Sequence, residues 1–235
     1  MTITPLSQPG TSSDAPQLGG AAGPSGMRRA WRIFGLWVIA GAALIPLDQV
    51  LHEAIRGLRP GGDLRRELEL LQQFGSPTTI ALCALLIWRL DPARLRRVID
   101  WALAAAASWG AVMVLKMLVG RPRPKFGEHL HALGPWRAYV VHEGDPPRYA
   151  WQFWQRDITE IWSMPSSHTA AAATAAVMLS ALYPRLRPVV WSMAALVGFC
   201  RVMFKAHYPS DVIIGGAMGA MVAWLFVRRW GAERG

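Results

Sequence analysis

Long apolar segments without a charged side chain dominate this sequence and restrict the folds that it can adopt. Such segments occupy residues 33–47, 70–88, 101–115, 161–184 and 212–227. A helix needs about 20 mostly apolar residues to cross a bilayer, and several of these segments reach that length with their flanking residues. The pattern therefore predicts a protein that crosses a membrane several times.

Six spanning helices are predicted, at about residues 31–51, 75–89, 99–119, 165–183, 187–204 and 209–228. Residues 63–74 carry apolar side chains three or four positions apart, which predicts an amphipathic helix lying at the membrane interface. The expected fold class is all-α: a six-transmembrane-helix bundle with an interfacial amphipathic helix and a long extracytoplasmic loop over residues 120–164. The segment 188–200 is the shortest of the apolar cores, and a buried core helix would explain it equally well.

The N-terminal region differs from the rest of the chain in composition. Residues 1–26 are rich in Gly, Ser, Pro and Gln and bury too little apolar surface to offset the entropy of ordering. We predict a disordered tail over residues 1–28 and one membrane domain over residues 29–235. The tail lacks the charged start and apolar core of a signal peptide, so the first span should be retained. Met1 and Met27 both stay open as the biological start.

The formal net charge of +10 first suggests a nucleic-acid partner. The arginines, however, cluster beside the predicted spans, at residues 27–29, 94–97, 185–187 and 228–229. Basic residues beside short loops and span ends mark the cytoplasmic side of a membrane protein. We therefore expect no nucleic-acid partner and a multi-pass protein of the cytoplasmic (inner) membrane, with both termini inside. Its oligomeric state stays open.

Two glycines four residues apart, Gly215 and Gly219, lie in the sixth predicted span. Small residues at this spacing let two helices approach closely in a membrane, so the pair predicts a helix-packing face. We expect Gly219→Leu to be damaging and Gly219→Ala to be mild.

Three groups of polar residues fall at span ends that share one face of the predicted bundle. They are Lys116 with Arg123-Pro124, then Pro165-Ser166-Ser167-His168, and finally Cys200-Arg201 with His207 and Asp211. Each group alone has a simpler explanation, as an interfacial anchor, a helix cap or a structural histidine. Ionisable groups at the rim of membrane helices are costly and usually mark function, and here all three groups converge.

Together the groups resemble the type 2 phosphatidic acid phosphatase family. That family's pattern is Lys-x6-Arg-Pro, then Pro-Ser-Gly-His, then Ser-Arg-x5-His-x3-Asp. The resemblance covers about residues 31–228, with the specific positions in 116–211. Two positions depart from the pattern. Ser167 replaces a glycine, and Cys200 replaces a serine whose hydroxyl could contact the substrate.

Phosphoryl transfer depends mainly on positioning and on stabilising negative charge on the transferred group. Lys116, Arg123 and Arg201 can supply three fixed positive charges. Ser166 and Ser167 add donors at the start of the fourth span, and a helix N-terminus is itself an anion site. These five residues are the predicted phosphate-binding set.

The catalytic residues are predicted to be His207, His168 and Asp211. His207 is the expected nucleophile, because Asp211, four residues later, can orient the ring and stabilise its positive charge. His168 is the expected general acid, which later activates water. The resemblance implies the same roles. The basic residues would do the work of a cation, so we expect neither a metal nor a cofactor.

The resemblance implies an integral-membrane lipid phosphate or diphosphate phosphatase that acts through a phosphohistidine intermediate. Its partner would be a membrane lipid substrate, met by a site on the extracytoplasmic side. Undecaprenyl diphosphate, phosphatidic acid, phosphatidylglycerol phosphate and the lipid A 1-phosphate all fit this geometry, and the sequence does not choose among them. A lipid phosphotransferase using the same site is the main alternative. A transporter would instead need charges at mid-membrane.

Overall fold

A computed structural model describes residues 24–58 and 60–232, and these residues are mostly helical. The α-helices are α1 (Pro24–Leu44), α2 (Asp48–Arg56), α3 (Gly62–Leu71), α4 (Pro77–Leu90), α5 (Leu95–Val119), α6 (Ser167–Leu182), α7 (Arg187–Met203) and α8 (Pro209–Ala232). A two-stranded antiparallel sheet joins β1 (Ala138–Tyr139) to β2 (Arg148–Tyr149). The all-α prediction is confirmed, and every predicted span overlaps a helix. Most of the predicted tail, residues 1–23, lies outside the described residues, and its last part, residues 24–28, belongs to α1.

Four helical stretches of the described chain are long and apolar enough to cross a membrane: Ser25–Arg56, Pro92–Phe126, Pro184–Met203 and Pro209–Trp230. A fifth candidate is bent, because Gly62–Gly75 and Pro77–Leu90 meet at 69°. The helix α6 has only 16 residues, which is about 24 Å at 1.5 Å per residue and shorter than a typical hydrocarbon core. The multi-pass prediction is thus supported, whereas the count of six spans is not confirmed.

The short helix α6 lies at the centre of the bundle. It packs against α5, α7, α8 and the 3-10 turn Gln72–Gly75. Most of its side chains are buried, and many are alanines, so it presents an apolar surface all round rather than a single apolar stripe. A helix of this kind is buried among other helices. The packing therefore carries the first turn of α6, with His168, into the interior of one end of the bundle.

Helices α8 and α6 approach each other closely at two glycines of α8. A Cβ atom on Gly219 would lie 2.0 Å from the carbonyl oxygen of Ala170, and one on Gly215 would lie 2.5 Å from the carbonyl oxygen of Ser166. The predicted packing face is confirmed. The expectation that Gly219→Ala would be mild is wrong, because even a methyl group collides with the backbone of α6.

We expect Gly219→Ala to destabilise the protein by about 1–3 kcal/mol, the usual cost of overpacking a core. Gly110→Ala is the matched control, since a Cβ on that helical glycine of α5 meets nothing within 4 Å. Alanine favours helix there, so the control should be neutral or slightly stabilising. Unfolding curves of the purified proteins in detergent measure both, and equal stability of the two variants would contradict the packing.

The long segment between α5 and α6 folds into an ordered cap over the end of α5. Its buried core consists of Val141, Ala150, Ile158, Ile161 and Trp162, and two partly buried methionines of α5, Met113 and Met117, pack against it. The outgoing and returning ends of the segment are hydrogen-bonded, from Arg123 N to Glu160 O at 2.9 Å and from Ser163 N to Arg121 O at 2.8 Å. This pairing places residues 160–163 beside the start of α6.

Candidate active site

The structure brings the three predicted groups together at one end of the bundle. Lys116 lies in the last turn of α5, Arg201 in the last turn of α7, and Asp211 in the first turn of α8. Lys116, Arg123 and Arg201 all act electrostatically on His168, and Lys116, Arg201 and Asp211 all act on His207. The predicted cations and catalytic side chains therefore share one site.

The ring of His207 is buried and held by the cap. Its Nδ1 lies 2.6 Å from the carbonyl oxygen of Ser163. A carbonyl oxygen only accepts hydrogen bonds, so Nδ1 carries the proton and Nε2 has a free lone pair. Burial lowers the pKa of His207 well below its usual value, which keeps the ring neutral at neutral pH. A buried, neutral imidazole with Nε2 free has the form that a nucleophile requires.

Asp211 supports His207 in a different way from the one predicted. Its Oδ2 is 3.8 Å from Nδ1 of His207, so the direct hydrogen bond belongs to the Ser163 carbonyl instead. Asp211 Oδ2 accepts hydrogen bonds from the Ser163 hydroxyl at 2.5 Å and from the Tyr208 amide at 2.8 Å. The Asp211 carboxylate thus fixes the segment that orients His207, and it is close enough to stabilise a positive imidazolium.

A buried arginine outside the predicted phosphate-binding set completes this arrangement. Arg121 Nη1 donates to Asp211 Oδ1 at 2.6 Å, and Nη2 donates to Asp48 Oδ2 at 2.7 Å. Asp48 in turn accepts from the Ser210 amide at 2.9 Å and the Ser210 hydroxyl at 2.5 Å. We call Asp48, Arg121, Ser210 and Asp211 the buried charge cluster. Asp48 is the only acidic residue in the first predicted span, 31–51. An acidic side chain inside a span requires a partner, so the sequence alone could have predicted a buried cation beside Asp48.

The three cations keep donors available for a ligand. Lys116 Nζ donates to the carbonyl of Trp162, and Arg123 Nε donates to the carbonyl of Thr159 at 2.8 Å. Arg201 Nη1 donates to Gln72 Oε1 at 3.2 Å, while its buried Nε has no hydrogen-bond partner among the described residues. A half-buried guanidinium with unused donors favours an anion with several oxygens.

The two predicted serines lie at the start of α6. The Ser166 hydroxyl caps the helix and accepts from Thr169 N at 3.4 Å and from Thr169 Oγ1 at 3.0 Å. The Ser166 side chain is fully buried. Ser167 is half-buried in the first turn, where the first backbone N–H groups of a helix have no partner within the helix. The helix end thus faces the same site as the cations.

Among the residues that the structure describes, no three His, Cys, Asp or Glu side chains are grouped so that they could hold a metal ion. Fold and side chains together define a helical membrane protein in which histidines, basic side chains and a carboxylate converge at one end of the bundle.

The chain belongs to the PAP2 superfamily. The sequence profile of that superfamily matches residues 97–234, more than half of the chain and every predicted site residue. The membrane phosphatase activity implied by the sequence motifs agrees with this membership.

Named relatives include lipid A 1-phosphatases of two Rhizobium species. The Rhizobium etli protein is 28% identical, over 77% of this chain and 78% of its own length. The Rhizobium johnstonii protein is 32% identical, but the match spans only 48% of this chain and 39% of that protein. Decaprenylphosphoryl-5-phosphoribose phosphatase of Mycobacterium tuberculosis is 28% identical over 65% of this chain and 72% of its own length.

Two crystal structures share the fold. Aquifex aeolicus LpxE superposes with a TM-score of 0.55 and 20% identity, covering 77% of this chain and 94% of that one. The PAP2 type phosphatidylglycerolphosphate phosphatase of Bacillus subtilis gives a TM-score of 0.57 and 19% identity, covering 87% and 95%. At such low identity these likenesses establish the fold alone.

Proposed function

We propose that this protein hydrolyses a membrane lipid phosphate or diphosphate through a phosphohistidine formed on His207. The observation that carries the proposal is the hydrogen bond from His207 Nδ1 to the Ser163 carbonyl, 2.6 Å long, which leaves Nε2 free beside the cations. Release of inorganic phosphate from a lipid phosphate by the purified protein, with no acceptor added, is the direct test.

In the first step, Nε2 of His207 attacks the phosphorus, and the bond from phosphorus to the leaving oxygen breaks. Lys116, Arg123 and Arg201 stabilise the negative charge on the equatorial oxygens. The leaving oxygen takes a proton from His168, whose ring makes no hydrogen bond within the described chain. The Ser163 carbonyl and Asp211 stabilise the positive phosphoimidazole.

In the second step, water attacks the phosphorus of the phosphohistidine. His168 takes the proton from that water, and His207 leaves as a neutral imidazole while inorganic phosphate is released. If an acceptor hydroxyl replaced the water, the same residues would catalyse transfer rather than hydrolysis. Phosphate release without an acceptor favours the hydrolase; a strict requirement for an alcohol would favour the transferase.

The lipid A 1-phosphate is the specific substrate that we place first. Two of the relatives carry that activity in their names, and a site at the ends of spans meets phosphates at the level of lipid headgroups. A panel containing lipid A, phosphatidylglycerol phosphate, phosphatidic acid and undecaprenyl diphosphate ranks the candidates by kcat/KM.

Chelators are expected to leave turnover unchanged, because side-chain cations take the role that a metal would have. Vanadate, which imitates the transferred group, should inhibit. Phosphate release is measured with and without EDTA after passage over a chelating resin. Loss of activity that added Mg²⁺ or Zn²⁺ restores would contradict metal independence.

We infer six spans, both termini in the cytoplasm, and the site on the extracytoplasmic side of the cytoplasmic membrane. Support comes from the basic residues beside the loops at 94–97 and 185–187. In a background with Cys83 and Cys200 replaced, an impermeant thiol reagent on intact cells should label Glu143→Cys in the cap. It should leave Arg185→Cys, between α6 and α7, unlabelled until the cells are opened. The reverse pattern would invert the topology.

A further inference from the structure

A groove of about 790 Å³ opens beside the active site, between α3 and the residues that follow α7. Arg56, Arg65 and Lys205 supply positive charge to its walls, and Gln72 and Phe204 also line it. Its volume lies in the range of small-molecule sites and exceeds what one phosphate group needs. None of the predicted catalytic residues lines it.

The groove and the catalytic centre share a wall. Gln72 lines the groove, and its side-chain oxygen accepts the hydrogen bond from Arg201 Nη1 at 3.2 Å. The carbonyl of Arg201 accepts from the amides of both Ala206 and His207, each at 3.1 Å. Lys205, with a φ of 58°, turns the chain between them. One short loop therefore carries Lys205 on the groove and His207 in the active site.

The charge of the groove is largely unneutralised. Arg65 is paired with Glu69 at 2.9 Å, and Glu69 lines the groove as well. Arg56 and Lys205, by contrast, form no ion pair with any residue that the structure describes. Two exposed, unpaired cations in one concave wall concentrate positive potential there. Such a wall attracts an anion.

We propose that this groove binds a second anionic group on the headgroup of the lipid whose phosphate is removed at His207. The proposal rests on the proposed phosphatase function and names its substrate class: lipids whose polar headgroup bears another anionic group besides the one that is cleaved. The amide of Gln72 suits a sugar or polyol between the two groups, because it offers polar contacts, and the Phe204 ring beside it already packs under the Arg65 guanidinium, 5.8 Å from the ring centroid. Arg56 and Lys205 would hold the distal anion.

The test compares two matched substrates in a neutral detergent. One is a glycolipid with phosphates at both ends of its headgroup, and the other has a hydroxyl in place of the phosphate that is not cleaved. The wild type should prefer the diphosphorylated lipid. The double variant Arg56→Gln/Lys205→Gln should lower this ratio of kcat/KM values by about ten- to a hundredfold, the usual effect of losing charged hydrogen bonds. The loss should be mainly in KM.

Two control variants separate charge from general damage. Arg66→Gln lies on the same helix, α3, but its side chain is exposed and paired with Asp63 at 3.6 Å outside the groove, so the ratio should stay at the wild-type value. Arg56→Lys keeps the charge and should retain most of the preference. Added anionic lipid without a cleavable phosphate tests for a neighbouring lipid in the groove, and should leave the wild-type ratio unchanged.

Each outcome decides a different question. Three results would contradict the subsite. They are an equal loss of kcat/KM for both substrates in the double variant, an unchanged ratio in the double variant, and a wild-type ratio abolished by the added anionic lipid. A wild type that releases phosphate from neither lipid would instead contradict the proposed function. A fall of the ratio in the double variant alone supports the subsite.

Discussion

His207→Ala is expected to abolish both turnover and the covalent phosphoenzyme. Loss of a nucleophile costs on the order of 10⁶-fold in kcat where it has been measured in other enzymes, and no other imidazole in the site has the same support. Among the residues that the structure describes, only His207 has its Nδ1 fixed by a carbonyl at 2.6 Å with a carboxylate 3.8 Å away. Rapid quenching with lipid labelled in its phosphate measures the phosphoenzyme directly.

His168→Ala should behave differently, because bond formation to the enzyme requires only the nucleophile. Loss of the general acid costs about 10²–10⁴-fold, and a substrate with a good leaving group, such as a nitrophenyl phosphate, should recover part of it. Some phosphoenzyme should still accumulate, since the base for the second step is missing too. His142→Ala, on the exposed surface of the cap, is the control with wild-type activity expected. Phosphate recovered on His168 would show that the two histidines have the opposite roles. Full activity in His207→Ala would show that His207 is not the nucleophile.

The sequence could predict side chains of the site because their spacing follows the ends of the spans. Each of these side chains lies within a turn or a short loop of a helix end: Lys116, His168, Arg201, His207 and Asp211. The correct order of helices was therefore enough to predict that they lie together. The carbonyls of Trp162 and Ser163 could not be predicted in this way. A backbone oxygen leaves no trace in the residue type, and these two reach the site only because the cap folds back on residues 121–123.

The span count is harder to predict for a related physical reason. Hydropathy shows how apolar a segment is, but it does not show whether lipid or other helices surround that segment. The alanine-rich α6 is apolar and yet surrounded by α5, α7 and α8, so its length is not set by the bilayer. Similarly, the bend between α3 and α4 depends on contacts of the turn Gln72–Gly75 with α6 and α7, which lie far away in sequence.

The two arginines of the Arg-Pro-Arg-Pro segment, residues 121–124, have different surroundings. The Arg121 side chain is 3% exposed and lies between the carboxylates of Asp48 and Asp211, whereas Arg123 is 26% exposed and bonds to a backbone carbonyl. Removing one partner of a buried ion pair leaves an uncompensated charge and typically costs about 3–5 kcal/mol. Arg121 therefore positions Asp211 and stabilises the fold, and we propose that Arg123, whose Nε lies 3.9 Å from Glu160 Oε2, meets the substrate.

Arg121→Met is accordingly expected to lower the free energy of unfolding by about 3–5 kcal/mol. Arg123→Met should leave the free energy of unfolding nearly unchanged. It should instead reduce kcat/KM about 10²-fold or more, as expected for a lost transition-state contact. Denaturant unfolding in detergent and phosphate release measure the two quantities on the same preparations. Adding Asp48→Asn to Arg121→Met should restore part of the stability, because it removes one of the two unpaired carboxylates, but not the activity, because Asp211 still lacks its guanidinium. If both arginine variants lose the same stability, or if Arg121→Met is as stable as the wild type, then Arg121 does not hold the charges of Asp48 and Asp211 together.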